Sequence, residues 1–354
     1  MTHSDRTAPS RTFFARQPSP YVATLALIAF LSGCVPIEPS GRSDEPAAAR
    51  FESPVTSNDR VVARTENFYG DDDAPVSLPF ELRDNLVTMP VVVNGKTITG
   101  VLDSGSGSIL MDRRVSREIA LIEQGEAGEA LGGGTEAKTL SNITIGDFRF
   151  GPVHLEDAPG YAIDLGHLTS SAGFPVDLVV GAPVLEKGAV RVDYRTSTIT
   201  FAHSGSFDGC AFPIAFELVH NVPVVNIKLG TTQDAAPVDL KVMVDLGSRG
   251  GALNLGGPFL RTSTGQAFLA AGKSQKVGHG VGGAVQGTVA QAAELRIGEL
   301  VFDDLRTQLT SQIPAFEAGL FDGTLGVPLW NTGTISFDYP ARQICIELGT
   351  ANPS

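Results

Sequence analysis

The feature that most limits what this chain can fold into is that it is written twice. Asp177-Leu178-Val179-Val180-Gly181-Ala182-Pro183 returns as Asp322-Gly323-Thr324-Leu325-Gly326-Val327-Pro328, and Val192-Asp193-Tyr194 returns as Phe337-Asp338-Tyr339, both at an offset of 145 residues. Ahead of these landmarks in each copy, Asn142–Phe150 parallels Glu294–Phe302. Upstream, Pro90 is followed after 13 residues by Asp103, and Pro223 after 22 residues by Asp245, each interval apolar, interrupted and apolar again. The nine extra residues of the second copy fit between Gly230 and Asp239. A register kept over this length predicts two equivalent units, 79–203 and 212–350, joined by a linker at 204–211. Short apolar runs broken by turn signals, such as Val91-Val92-Val93-Asn94-Gly95, predict tight hairpins. With 40 Gly and 22 Pro against one Trp and four Met, the expected class is all-β.

Each half resembles a retropepsin-type aspartic protease domain. The residues that carry the likeness are a strand ending in Asp103-Ser104-Gly105-Ser106 or Asp245-Leu246-Gly247-Ser248, followed by a Gly-rich flap segment. The flap segments are Leu131-Gly132-Gly133-Gly134 and Gly280-Val281-Gly282-Gly283. A strand pair follows, then Val179-Val180-Gly181 or Thr324-Leu325-Gly326. The likeness covers nearly everything beyond residue 78. It implies two pseudo-symmetric β-barrel lobes around one cleft, as in the pepsins, with a peptide or protein substrate, no cofactor and no metal, and a monomeric chain. A flap tyrosine, usual in pepsins, is missing from both Gly-rich segments, which draws the likeness toward the retropepsins.

The chemistry accounts for the motif. Hydrolysis of a peptide bond by water needs one group to take a proton from the water and another to protonate the carbonyl oxygen. Two carboxylates about 3 Å apart share one proton, because both cannot ionise together. Asp103 and Asp245 are the expected pair, and Gly105 and Gly247 let the backbone turn tightly enough for them to meet. Ser106 and Ser248 are expected to hydrogen-bond the outer carboxylate oxygens. The flap glycines are expected to close over an extended substrate. One position departs from the family, which has Thr or Ser after each Asp, where the hydroxyls brace the lobes. Ser104 fits, whereas the Leu246 side chain has no hydrogen-bonding group, so packing alone is expected to hold the second loop.

The N-terminus carries a separate message. Arg11 and Arg16 precede an apolar run, Val22–Leu31, too short to span a bilayer as a helix but suited to a secretory signal. The run ends in Leu31-Ser32-Gly33-Cys34, which resembles a bacterial lipobox: a signal peptide 1–33 is expected, with Cys34 lipidated. Val35, in place of Asp, points to the outer membrane, facing the periplasm. Residues 34–78, rich in Pro, Ser, Ala, Asp and Glu, read as a flexible tether. Outside Cys34 the only cysteines are Cys210 and Cys345, either a disulfide favoured by an oxidising compartment or two separate buried thiols.

Other functions fit poorly. A formal charge of −13 without a Lys/Arg cluster removes the electrostatic footprint of a nucleic-acid binder. Gly278-His279-Gly280-Val281-Gly282-Gly283 spells G-x-G-x-x-G, but no helix opens after it to receive a phosphate. The six His residues show no ligand spacing for a metal. Asp193 and Asp338, each before Tyr, read as turn residues. Two functions remain: a lipid-anchored aspartic endopeptidase, or a lipoprotein of the same fold that only binds peptides or partner proteins, for which Leu246 is the best support. The anchoring reading predicts that Cys34→Ala leaves an unprocessed precursor. Mass spectrometry of the mature N-terminus checks it, and an unmodified terminus at another residue would remove the assignment.

Overall fold

A computed structural model describes residues 49–51, 74–130, 132–134, 136–207, 209–232 and 236–349. The signal peptide, Cys34, Leu131 and most of the tether lie outside the described residues. No helix among the described residues is long and apolar enough to cross a membrane.

The duplication read from the sequence is a duplication in space. In the first lobe the strands Leu86–Val93, Lys96–Leu102, Leu178–Val180, Ile109–Asp112, Val153–Ile163 and Lys138–Phe150 pair in that order, and the last pairs back to the first. In the second lobe Val222–Gly230, Val238–Asp245, Gly323–Gly326, Leu253–Leu255, Leu300–Leu309 and Gly283–Ile297 close the same ring in the same order. Closure leaves few free edges and turns alternate side chains inward. Asn94 and Gly95 both adopt positive φ, at 48° and 79°, the geometry a two-residue hairpin needs. The second copy of that hairpin is longer: Leu229 pairs with Val238 where Val93 pairs with Lys96, so six of the nine extra residues fall between the last paired residues and three lengthen the strand before them.

A third sheet joins the lobes. Its strands run Ile214–Ala215, Gln343–Glu347, Thr334–Asp338, Ala189–Asp193, Thr198–Ala202 and Val76–Pro79. The two central strands, one from each half, pair antiparallel from Ala189↔Asp338 to Asp193↔Thr334. Asp193 and Asp338 lie at strand ends and turn their carboxylates onto backbone N–H groups of Arg195 and Thr196, and of Gly205 and Ala341. One apolar core, including Phe148, Phe150, Phe201, Trp330 and Phe337, runs without a break from one lobe through this sheet into the other. Burial on that scale, at about 25 cal/mol per Å², makes the lobes one cooperative body.

Two boundaries move. Val76–Pro79, inside the segment read as tether, is an edge strand paired to Thr198–Phe201, so the folded unit starts near residue 76. Ala49–Phe51, deeper in that segment, pairs antiparallel with Leu300–Phe302. Alternation of apolar and polar residues over four positions is too short a pattern to stand out from a polar tether.

Cys210 and Cys345 form a disulfide, with Sγ atoms 2.02 Å apart. It ties the linker to the strand Gln343–Glu347 and closes a span of 135 residues. Replacing both cysteines by Ser is expected to lower the unfolding free energy by about 4 kcal/mol, from the entropy of so long a loop. Denaturant melts of the two proteins measure it, and coincident melts would show that the bridge contributes nothing.

Candidate active site

The two strands that end at the motifs are central in their rings, which brings Asp103 and Asp245 to the junction of the lobes. Asp103 N donates to Val180 O at 2.9 Å, and Asp245 pairs in parallel register with Gly326. Both carboxylates are fully buried. Each loop then doubles back so that Gly105 N donates to Asp103 Oδ1 at 2.8 Å and Gly247 N to Asp245 Oδ1 at 2.7 Å.

Each glycine also faces the opposite carboxylate. A methyl group at Gly105 would stand 2.6 Å from Asp245 Oδ1, and one at Gly247 would stand 2.7 Å from Asp103 Oδ1. No side chain fits there, so glycine is what lets the two acids meet. The Oδ2 atom of each Asp is buried and without a hydrogen-bond partner among the described residues.

Burial raises both carboxyl groups. Asp103 is pushed up to about 6; its hydrogen bond with Asp245 and the backbone N–H groups of Gly105 and Gly247 oppose the rise. Asp245 lies well above the usual carboxylate range, from burial first and then from the negative charge of Asp103 beside it. Two acids held together in a dry site ionise in sequence, and one proton is shared over a wide pH range.

Two expectations about this site need correction. The Ser106 hydroxyl donates to Ser108 O at 2.9 Å, and the Ser248 hydroxyl accepts from Asn254 Nδ2 at 3.1 Å. Both bonds stay within their own lobe, so neither hydroxyl serves an outer carboxylate oxygen. Packing alone does not hold the second loop either. The Ser104 hydroxyl crosses between the lobes, donating to Val244 O at 2.8 Å and accepting from Leu246 N at 3.0 Å. One hydroxyl thus fixes the backbone on both sides of Asp245. The reciprocal bonds, which a hydroxyl at position 246 would make to the first loop, are the ones lost.

The flap segments of the two lobes meet each other. Gly134 forms a parallel bridge with Gly282, Gly282 N donates to Gly133 O at 2.8 Å, and Glu136 N donates to Gly282 O at 3.1 Å. Gly134 N reaches Gln312 O of the second lobe at 3.1 Å. Gly280 lies so close to Gly133 that a methyl on it would stand 2.2 Å from the Gly133 carbonyl oxygen. Gly132 is buried, and Gly283 turns the second flap with φ 102°. Val281 is buried in the apolar cluster of the first lobe, with Leu86, Leu110, Ala130 and Leu168.

Sequence reasoning passed over Val281, and also over Arg249, directly after the second motif. The Arg249 side chain is 1% exposed and paired with Asp84 of the first lobe. A cation inside a glycine-rich turn, in a chain poor in charge, was the available signal.

Residues 89–184, which hold the first motif and most of its ring, match the family model described as "Aspartyl protease". Among solved structures, 402 chains match; one is the crystal structure of an aspartic proteinase from Irpex lacteus. That likeness has a TM-score of 0.50 at 9% identity and covers 79% of this chain and all of that one. The first-lobe sequence is thus similar to that of aspartyl proteases, and the whole chain has the bilobal fold of the pepsin-like aspartic proteinases. No curated protein matches its sequence. Within this family fold the two lobes sit on one chain, while both contribute a flap and the flaps touch.

The raised acids predict a stability signature. A carboxyl group whose folded pKa exceeds its unfolded value loses stability as pH rises from the unfolded pKa through the folded one. Asp103→Asn removes that loss. It is expected to be close to wild type in stability at pH 4 and more stable above pH 6, by on the order of 3 kcal/mol for a rise of about two pKa units. Urea melts across this range measure it, and a constant difference would mean that the acid is not buried.

Proposed function

We propose that this chain is an aspartic endopeptidase that cleaves extended polypeptide in the periplasm, carried there on a lipid at Cys34. The observation that carries the reading is the meeting of two buried carboxyl groups, one from each lobe, each against the other's glycine. A water held between them loses a proton to the ionised carboxylate as it attacks the scissile carbonyl carbon. The protonated partner gives its proton to the carbonyl oxygen, forming a tetrahedral diol. The first carboxyl group then passes the water's proton to the leaving amine as the C–N bond breaks, while the partner carboxylate takes a proton back from a diol hydroxyl as the C=O bond re-forms, which returns the pair to one shared proton.

The fold supports each step. Gly105 N and Gly247 N hold the inner oxygens, so the carboxyl planes are set before substrate arrives. The unpartnered Oδ2 atoms are the free acceptors for water and diol. The flaps, bridged at Gly134 and Gly282, must part to admit a strand, and their backbone groups then become available to it. Closure over substrate excludes bulk water.

A reading in which the fold only binds peptides draws on Leu246. Against it stands the Ser104 hydroxyl, which keeps the backbone on both sides of Asp245 in place without a second hydroxyl.

The pair works with one proton, so activity is expected to follow a bell-shaped pH profile. Its acid limb falls near pH 6, where the first carboxyl ionises, and its optimum lies above that value. Asp103→Asn and Asp245→Asn are each expected to reduce kcat at least about 10³-fold, nearly as much as the double change. Assays of the purified full-length protein on denatured protein and extended peptides test this. Cleavage that persists in either single variant would refute the pair, and no cleavage by the wild type between pH 3 and 9 would favour the binding reading.

A further inference from the structure

We infer that Arg249 is a positioning residue for Asp245, and that with Asp84 it forms a clasp between the lobes that takes over what the site loses through Leu246. The inference rests on the peptidase reading above and concerns how this chain keeps its second loop in place.

The two Asp loops are related by the pseudo-symmetry of the lobes. Asp103 and Asp245 are 142 residues apart, and the same offset from Arg249 leads to Gly107. In each half the loop after the motif faces a two-residue hairpin turn of the other lobe. The first-lobe turn is Asp84-Asn85, with φ 49° and 59°, between the paired residues Arg83 and Leu86. The second-lobe turn is His220-Asn221, with φ 51° and 66°, between Val219 and Val222.

The two dockings use different physics. Gly107 comes so near the second-lobe turn that a methyl on it would stand 2.3 Å from His220 O, so backbone rests against backbone. At the equivalent contact, a buried guanidinium spans the gap. Arg249 Nη1 donates to Asp84 Oδ2 and Nη2 to Ser171 Oγ, the latter on the helix Gly166–Ala172. Asn85 Nδ2 donates to Arg249 O at 3.2 Å. Side chain and backbone of Arg249 are therefore both gripped by the first lobe, four residues beyond Asp245.

This asymmetry falls on the loop that needs it. With Leu246 in place of a hydroxyl residue, the brace between the loops is one-sided, and the side chain at position 246 makes no hydrogen bond into the first lobe; only its backbone N–H does, to Ser104 Oγ. A charge-assisted, forked contact in a dry setting supplies directional restraint that apolar packing does not. Asp84 is 28% exposed, which lets solvent stabilise the anion while the arginine, at 1%, stays sequestered. An ion pair so placed acts through position rather than through net stability.

The test compares wild type, Arg249→Met, and Arg249→Met with Leu246→Thr, as full-length protein. It reads kcat and KM on an extended peptide, and amide hydrogen exchange in both Asp loops. Arg249→Met is expected to lower kcat about ten- to hundredfold with KM within about threefold, as a displaced catalytic group does. Exchange at Gly247 and Ser248 is expected to rise about tenfold while that at Gly105 and Ser106 holds. Adding Leu246→Thr should recover at least about a third of the lost activity on a logarithmic scale and slow the exchange again. Unchanged exchange in the second loop, an equal rise in both loops, or no recovery with Leu246→Thr would each overturn the clasp. If Arg249→Met does not fold, Arg249→Lys keeps the charge, loses the fork and is read the same way. A wild type that cleaves nothing would refute the peptidase reading, while the exchange comparison would still decide the clasp.

Discussion

Everything in this molecule depends on holding two carboxyl groups against each other, out of water. Left alone, such a pair drives its loops apart, because burial penalises each charge and proximity penalises the second. The chain resists by building the same loop twice on the ends of central strands, where ring closure leaves the backbone little freedom. Glycine at positions 105 and 247 removes the side chain that would separate the acids, and the same residues supply the N–H groups that accept part of the charge. The six-stranded sheet below carries the load between lobes, and the disulfide at its edge ties the linker to it.

The lobes began alike and have come to share labour. Ser104 makes both hydrogen bonds of the interlobe brace, while Leu246 contributes only its backbone amide. Gly107 allows backbone contact where Arg249 builds an ion pair. In the flaps, Val281 is inserted among first-lobe side chains, while the facing residues Gly132, Gly133 and Gly134 carry none. A single chain makes such division possible: two identical subunits around a dyad must place the same residue on both sides, whereas fused copies vary one side at a time.

Closure and catalysis pull on the same contacts. Both acids are fully buried while the flaps are bridged, so the proposed peptidase reaction requires Gly134 to part from Gly282 and Val281 to leave its cluster before a substrate strand enters. The bridge is short and rests on few backbone hydrogen bonds, the low-stability end of an otherwise continuous core.

Much of this was legible in the sequence because it is local or repeated. The 145-residue register, the Asn94-Gly95 turn, and the apolar runs ending at Asp103 and Asp245 each show within a few residues what the strands will be, and repetition shows which of them correspond. The partners of Ser106, Ser248 and Leu246 were not legible, because a hydroxyl or an amide bonds to whatever the fold brings within 3 Å. For Leu246 that is a serine 142 residues away. The strand Val76–Pro79 was hidden for the same reason: its four residues become a strand only because the edge at Thr198–Phe201 stands open to receive them. Sequence by itself determined the two units, their strands and the two acids, since these follow from periodicity and composition. Only the tertiary structure decided that Arg249 faces Asp84, that Val281 crosses into the other lobe, and that the acids are buried, because contacts between distant segments exist only once both rings have closed.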